Sequence, residues 1–324
     1  MFDLLIYEPA MNRVGDVLGT GVRPIVMSAD GSCRVDGKTV DIGEVAPDIA
    51  WANRDLYTDG PVREFMITCL KSKRLRWLQS SAAGFEHPVF GKLVGNGVTL
   101  TNANASAVPI AEFVMARVLE VFHPMQARRD AQSRQAWETH DFRDVKGSTW
   151  LIFGLGAIGA EVAVRARAFG AHVVGARRTP RGNEPVDEMI AAKDVRGHVS
   201  RADVVVFTAA LNEETRHTVD AGFIEAFKPG AVFVNVGRGG LVDEDALLAG
   251  LDRGQPSHAV LDVFEEEPLP AGHPLWSHPR VLVSAHCAGA SDGTSIRGDE
   301  IFLENLMRYV DGEPLENVVM DLSP

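Results

Sequence analysis

Short apolar runs recur along the chain, separated by polar or helix-patterned stretches. Residues 2–7, 22–27, 49–51, 76–79 and 98–101 read as strands, and Pro61 to Ser72 between them reads as helix. This alternation predicts a small α/β unit over about the first hundred residues. In "SAVPIAEFVMARVLEVFHPMQARRDAQ" the apolar residues Ile110, Phe113, Val114, Ala116, Val118 and Leu119 recur at helical spacing, which predicts one long, largely buried helix. Strands follow at 150–153, 173–176, 204–207, 232–236, 259–263 and 281–284, with helical stretches between them. These strands are apolar throughout rather than alternating. Both of their faces are therefore buried, as in a parallel sheet covered by helices on either side. A last helix is expected over about 293–309, and the polar tail "DGEPLENVV" is placed to return to the first unit.

Size, charge and cysteine content narrow the class. The 324 residues suit two domains. A net charge of −12 disfavours general binding to nucleic acid or anionic membranes, both of which need a basic surface. Cys33, Cys69 and Cys287 show neither metal-ligand spacing nor a paired framework, so reduced thiols, no metal site and a cytoplasmic setting are expected. The opening "MFDLLIYEPA" lacks the basic segment and long apolar core of a signal peptide, and no apolar run is long enough to span a bilayer.

Gly154, Gly156 and Gly159 form G-x-G-x-x-G between an apolar strand and a helix. The first glycine allows the tight turn, the second lets a pyrophosphate approach the backbone, and the third lets helix and strand pack closely. The helix N-terminus adds free N–H groups for the phosphates. A dinucleotide site is therefore expected. An NAD site usually carries a carboxylate about twenty residues past the glycines, on the ribose hydroxyls. Here Arg177 and Arg178 stand at that place, followed by Thr179. An arginine pair suits a 2′-phosphate through charge-assisted hydrogen bonds, so NADPH is the expected cofactor. A solvated basic loop over a less selective NAD site is the alternative.

Three more strand ends carry chemistry. "VNVGRGGLVDEDAL" places Arg238 between glycines, "AVLDVFEEEPLP" carries Asp262 and the run Glu265, Glu266 and Glu267, and "VLVSAHCAGAS" carries His286. All lie at the carboxyl ends of parallel strands, where open α/β sheets bind ligands. Together an arginine, a carboxylate and a histidine suit carbonyl reduction. The arginine binds a substrate carboxylate and polarises the adjacent ketone, the histidine donates a proton, and the glutamate supports the imidazole. Taken singly, each has a plainer reading as a surface ion-pair partner, a core histidine or a solvated acidic face.

These residues resemble the D-isomer-specific 2-hydroxyacid dehydrogenases. "GLGAIG", "NVGRGGLVDEDAL", "LDVFEEEPLP", "HPLW" and "AHCAGAS" stand in that family's order and spacing, and "LTNANASAVPIAEFVMARVL" is similar to its interdomain helix. The resemblance implies an α/β protein of two Rossmann-like domains, with doubly wound parallel sheets and an active-site cleft between them. The substrate domain would comprise residues 1–100 and 289–324, and the dinucleotide domain residues 101–288. The implied catalytic residues are Arg238, which also binds substrate, Glu267 and His286. Ala157, Ile158, Ala210, Val236, Gly237 and Asp262 would bind the cofactor, with Asp262 at the nicotinamide amide and Ala210 in a loop around the nicotinamide. Ala83 and Gly84 match the loop that holds the substrate carboxylate. Trp51, Asn53 and Trp276 are candidates for shaping the pocket, with core or interface packing the equal alternative. The family also implies a homodimer.

Some positions depart from the family pattern. Ala285 precedes His286 where proline is common, Ala210 stands in the loop after Phe207, and Phe85 and Glu86 follow Gly84 in the substrate loop. The expected activity is NADPH-dependent reduction of small 2-oxo acids, such as glyoxylate or hydroxypyruvate, to D-2-hydroxy acids. The rivals are an NAD-linked dehydrogenase working oxidatively, for example on D-3-phosphoglycerate or formate, and a nucleotide-sensing binding protein without turnover.

Overall fold

Valine, isoleucine and phenylalanine fill the central strands, and their branched or aromatic side chains pack well on a pleated surface buried on both faces. The computed structural model describes residues 1–82, 84–85 and 87–319. The chain divides into two units, one of residues 1–105 with the segment from Ser291 onward, the other of residues 106–290. Among the described residues each unit carries one seven-stranded sheet.

The first unit contains β1 (Phe2–Tyr7), β2 (Val22–Met27), β3 (Cys33–Val35), β4 (Lys38–Val40), β5 (Ile49–Ala52), β6 (Trp77–Ser80) and β7 (Thr99–Asn102). They lie in the order β4-β3-β2-β1-β5-β6-β7. The pairs from β2 through β7 are parallel, whereas β3 and β4 form an antiparallel hairpin on one edge. The helix Gly293–Asp311 brings Phe302 into this unit's core, stacked on Trp51 at 4.0 Å and on Trp77 at 5.6 Å between ring centroids. The tail then pairs with β7, as Asn102 N–H donates to Asn317 O and Val319 N–H to Leu100 O.

The second unit contains β8 (Thr149–Phe153), β9 (His172–Arg177), β10 (Glu188–Ala191), β11 (Val204–Phe207), β12 (Val232–Asn235), β13 (His258–Leu261) and β14 (Val281–Val283). The order is β10-β9-β8-β11-β12-β13-β14, and every pairing is parallel. Strand order reverses at β8, which places the β8 and β11 carboxyl ends at the switch point where such sheets take ligands. Two apolar clusters cover the sheet. One holds Phe207, Phe223 and Phe233, and the other holds Val114, Val118, Trp150 and Val162.

The structure corrects the expectation of one long helix after Ser106. The chain forms two helices, Ala107–Phe122 and Met125–Ser133. Pro124 causes the break, because the residue before a proline is pushed out of the helical region and His123 is extended at ψ 108°. No helix among the described residues is long and apolar enough to cross a membrane.

Candidate active site

Two glycines of the turn after β8 leave no room for a side chain, and the third fronts open space. Gly154 has φ +100°, and a Cβ there would lie 2.6 Å from Ala209 N. A Cβ at Gly159 would overlap Gly154 O and crowd Thr208 Oγ1 at 2.9 Å. Around Gly156, by contrast, no atom lies within 4 Å of the Cβ position. This open space fronts the N-terminus of the helix Ala157–Ala168, whose first residues are Ala157 and Ile158. Open room over unpaired helical N–H groups fits a pyrophosphate. Val236 is buried behind this region, Gly237 leaves no room for a Cβ against Ala209 O at 2.8 Å, and Ala210 O accepts from Thr215 Oγ1 at 2.8 Å.

Arg177 ends β9, and Arg178 and Thr179 follow it, exposed. Arg177 Nη1 donates to Leu155 O within the glycine turn and to Glu184 Oε1, both at 3.1 Å. Glu184 also accepts from Arg181 N at 2.6 Å and Gly182 N at 2.9 Å. The backbone bond from Arg181 is the main reason its carboxyl lies below the usual range, with Gly182 N–H and Arg177 adding to it. Nothing in the sequence pattern marks Glu184, since the contact depends on how the loop folds back.

Arg238, Glu267 and His286 come together in the second unit and line one cleft of about 310 Å³. Buried Asn235 shapes the first loop, accepting from Gly237 N at 3.1 Å and donating to Arg238 O at 2.9 Å. Arg238 Nη1 donates to Gly237 O at 2.8 Å. A Cβ at Gly239 would overlap the Phe264 backbone, so only glycine lets the Arg238 loop lie directly on the loop that carries Glu267. Glu267 Oε1 accepts from Phe264 N at 3.0 Å, and Oε2 bonds His286 Nδ1 at 2.7 Å. The backbone bond fixes the carboxylate, and the carboxylate fixes the ring with Nδ1–H directed at it. The other ring nitrogen, Nε2, is then the one available for proton exchange. Glu265 makes a separate pair with His217 Nε2 at 2.5 Å, which sets Glu267 apart from its acidic neighbour.

His286 sits at φ +50°, an unusual conformation for a non-glycine residue. Asp262, expected near the nicotinamide amide, supplies the restraint. Its buried carboxylate accepts from Ser284 Oγ at 2.6 Å, Cys287 N at 2.9 Å and Ala288 N at 3.1 Å, and its carbonyl accepts from His286 N at 2.8 Å. This bracing role was not visible in the spacing. Trp276, half exposed, lies with His286 and Glu267 along a second cavity of about 500 Å³, and its Nε1 donates to Pro270 O at 3.1 Å.

Two expected pocket residues are corrected. Trp51 is wholly buried and stacked on Phe302, so it is a core residue of the first unit rather than a pocket wall. Asn53 is buried and caps the helix Arg54–Asp59, its side chain accepting from Leu56 N. Gly84 lies in the loop after β6, next to Phe85, whose ring meets Phe90 edge-on. Ala83 and Glu86 lie outside the described residues. No group of three or more metal-ligating side chains occurs among the described residues.

The family model described as "D-isomer specific 2-hydroxyacid dehydrogenase, NAD binding domain" matches residues 115–288. A glyoxylate reductase of Aeropyrum pernix is 31% identical over 77% of this chain and 77% of its own. A D-3-phosphoglycerate dehydrogenase of Methanocaldococcus jannaschii is 30% identical over 77% of this chain, which spans only 48% of that longer protein. A crystal structure of a D-isomer specific 2-hydroxyacid dehydrogenase from Xanthobacter autotrophicus Py2, in complex with NADPH and MES, shares 27% identity and a TM-score of 0.75 over 98% of this chain and 97% of its own. The glycine turn, the histidine–glutamate pair beside an arginine and the family match lead to one assignment: the chain belongs to the D-isomer-specific 2-hydroxyacid dehydrogenase family, whose members are NAD(P)-dependent oxidoreductases.

Proposed function

We propose that this protein is an NADPH-dependent reductase of small 2-oxo acids, with glyoxylate and hydroxypyruvate the leading substrates. The single observation that carries the chemistry is the His286–Glu267 bond at 2.7 Å in the cleft that Arg238 also lines. The basic segment Arg177–Arg178–Thr179 at the end of β9 supports NADPH over NADH, because a 2′-phosphate needs cations where a free ribose prefers a carboxylate. The open space around Gly156 and the helix start at Ala157 suit the pyrophosphate.

Bound reduced nicotinamide supplies the hydride. Arg238 pairs with the substrate carboxylate and polarises the neighbouring ketone, which orients the carbonyl carbon and stabilises charge on its oxygen. His286 donates the proton to that oxygen from Nε2. Glu267 holds the ring through Nδ1–H and balances the positive charge of the protonated imidazole. Asp262 keeps the His286 loop in its left-handed turn, so the proton donor does not drift between turnovers.

The test is the initial rate of NADPH and, separately, NADH oxidation with glyoxylate, hydroxypyruvate, pyruvate and phenylpyruvate. The expected result is turnover that favours NADPH and the smaller acids. Equal or faster rates with NADH would remove the 2′-phosphate assignment and keep the dehydrogenase. Tight cofactor binding without turnover on any 2-oxo or D-2-hydroxy acid would favour a nucleotide-sensing protein.

A further inference from the structure

Beyond Arg177 the chain makes a loop and returns to itself through one side chain. Glu184 is only 6% exposed in its side chain, yet it lies in a surface segment rich in charge. It closes residues 181–184 into a ring by accepting the Arg181 and Gly182 N–H groups, and Gly182 at φ +83° allows the reversal. The ring is then tied to Arg177, and the same Arg177 nitrogen reaches Leu155 O between Gly154 and Gly156. A continuous path of hydrogen bonds therefore joins the phosphate-binding turn to the loop after β9.

A bare carboxylate at this place would repel a 2′-phosphate. This one has both oxygens turned to donors, the Arg177 guanidinium and the Arg181 N–H on one and the Gly182 N–H on the other. The pairing also commits Arg177, whose Nη1 is shared between two acceptors. Arg181 differs, since its guanidinium has no acidic partner among the described residues and its backbone N–H is fixed by Glu184.

We infer that Glu184 is a positioning residue for cofactor selectivity: acting through Arg177, it braces the 178–183 loop against the glycine turn, so that this loop presents the cations that read the 2′-phosphate. Arg177 is the strut of that device. The inference rests on the NADPH reading above and adds to it a residue that touches neither cofactor nor substrate.

The test compares wild type with Glu184→Ala and Glu184→Gln in two measurements. One is calorimetric binding of adenosine 2′,5′-bisphosphate against AMP, and the other is KM and kcat for NADPH against NADH. Loosening one charge-assisted contact to the 2′-phosphate is expected to weaken the bisphosphate and raise the NADPH KM by about tenfold in Glu184→Ala, with AMP, NADH and both kcat values within about twofold. Glu184→Gln keeps one carbonyl acceptor, which can serve the Arg181 N–H and Arg177 but not the Gly182 N–H, and is expected to recover part of the loss. Equal weakening toward both nucleotides, an unchanged ratio, or tighter NADPH binding in Glu184→Ala would each overturn the inference while wild-type NADPH preference stood. A wild type that prefers NADH would overturn the NADPH reading itself, and this inference with it.

Discussion

The two sheets share a plan and differ at one turn. In both, strand order reverses at the first strand, β1 in one unit and β8 in the other, and a helix follows that strand directly. After β8 the chain runs through three glycines, open space and free N–H groups. After β1 it runs from Tyr7 straight into the helix Glu8–Val14, with an acid in the first turn and Pro9 beside it. A carboxylate repels phosphate, and proline has no N–H to offer. A topological switch point therefore offers a location, and the residues of the turn decide whether a nucleotide uses it.

Three measurements would break or sharpen this contrast. The largest effect is expected in the second unit. His286→Ala should lower turnover by about a hundredfold to ten-thousandfold while NADPH binding, read by calorimetry, stays intact. A parallel loss of binding would mean that His286 supports the fold of the nucleotide site. In the first unit the dominant effect should be on stability. Trp51→Ala removes the ring stacked on Phe302 and should cost about 3–5 kcal/mol in a denaturant melt. The milder Trp51→Phe should leave the KM of every 2-oxo acid unchanged, and a substrate-selective shift would return Trp51 to the pocket. The smallest pair of effects concerns glycines. Gly159→Ala drives a methyl into Gly154 O and should cost about 1–3 kcal/mol together with cofactor binding. Gly91, within the helix Pro88–Gly95, faces no atom within 4 Å of its Cβ position. Gly91→Ala should stabilise by about 0.5–1 kcal/mol with binding unaltered.

The second unit was more legible in the sequence than the first. Its strands are continuous apolar runs, a signal that survives without knowledge of their partners. The edge pieces were harder. Strands β3 and β4 are three residues each and short of apolar pattern, with Cys33 the one buried position in them. Their hairpin did leave a trace in "VDGK", where Asp36 at φ 49° and Gly37 at φ 76° form the two-residue turn that Asp-Gly favours. Strand β10 holds no fully buried residue and carried no such mark. In the site, Arg238, Glu267 and His286 were readable because each follows a recognisable strand. Asp262 as the brace of the His286 loop, Asn235 as the shaper of the Arg238 loop, and the Arg177–Glu184 tie were not. They depend on side chains meeting across loops, and no periodicity records that.

The return of the last helix to the first sheet has a consequence for biosynthesis. Residues 106–290 are continuous, so every strand of their sheet is translated before the last helix is. The other unit places Phe302 and Leu306 in the same apolar cluster as Leu4, Ile6, Trp51 and Trp77. Its opening strands must therefore wait, with that surface uncovered, while nearly two hundred intervening residues are translated. At about 5–20 residues per second this interval lasts roughly ten seconds or longer, ample time for a chaperone to attend to the early half while the later half folds first.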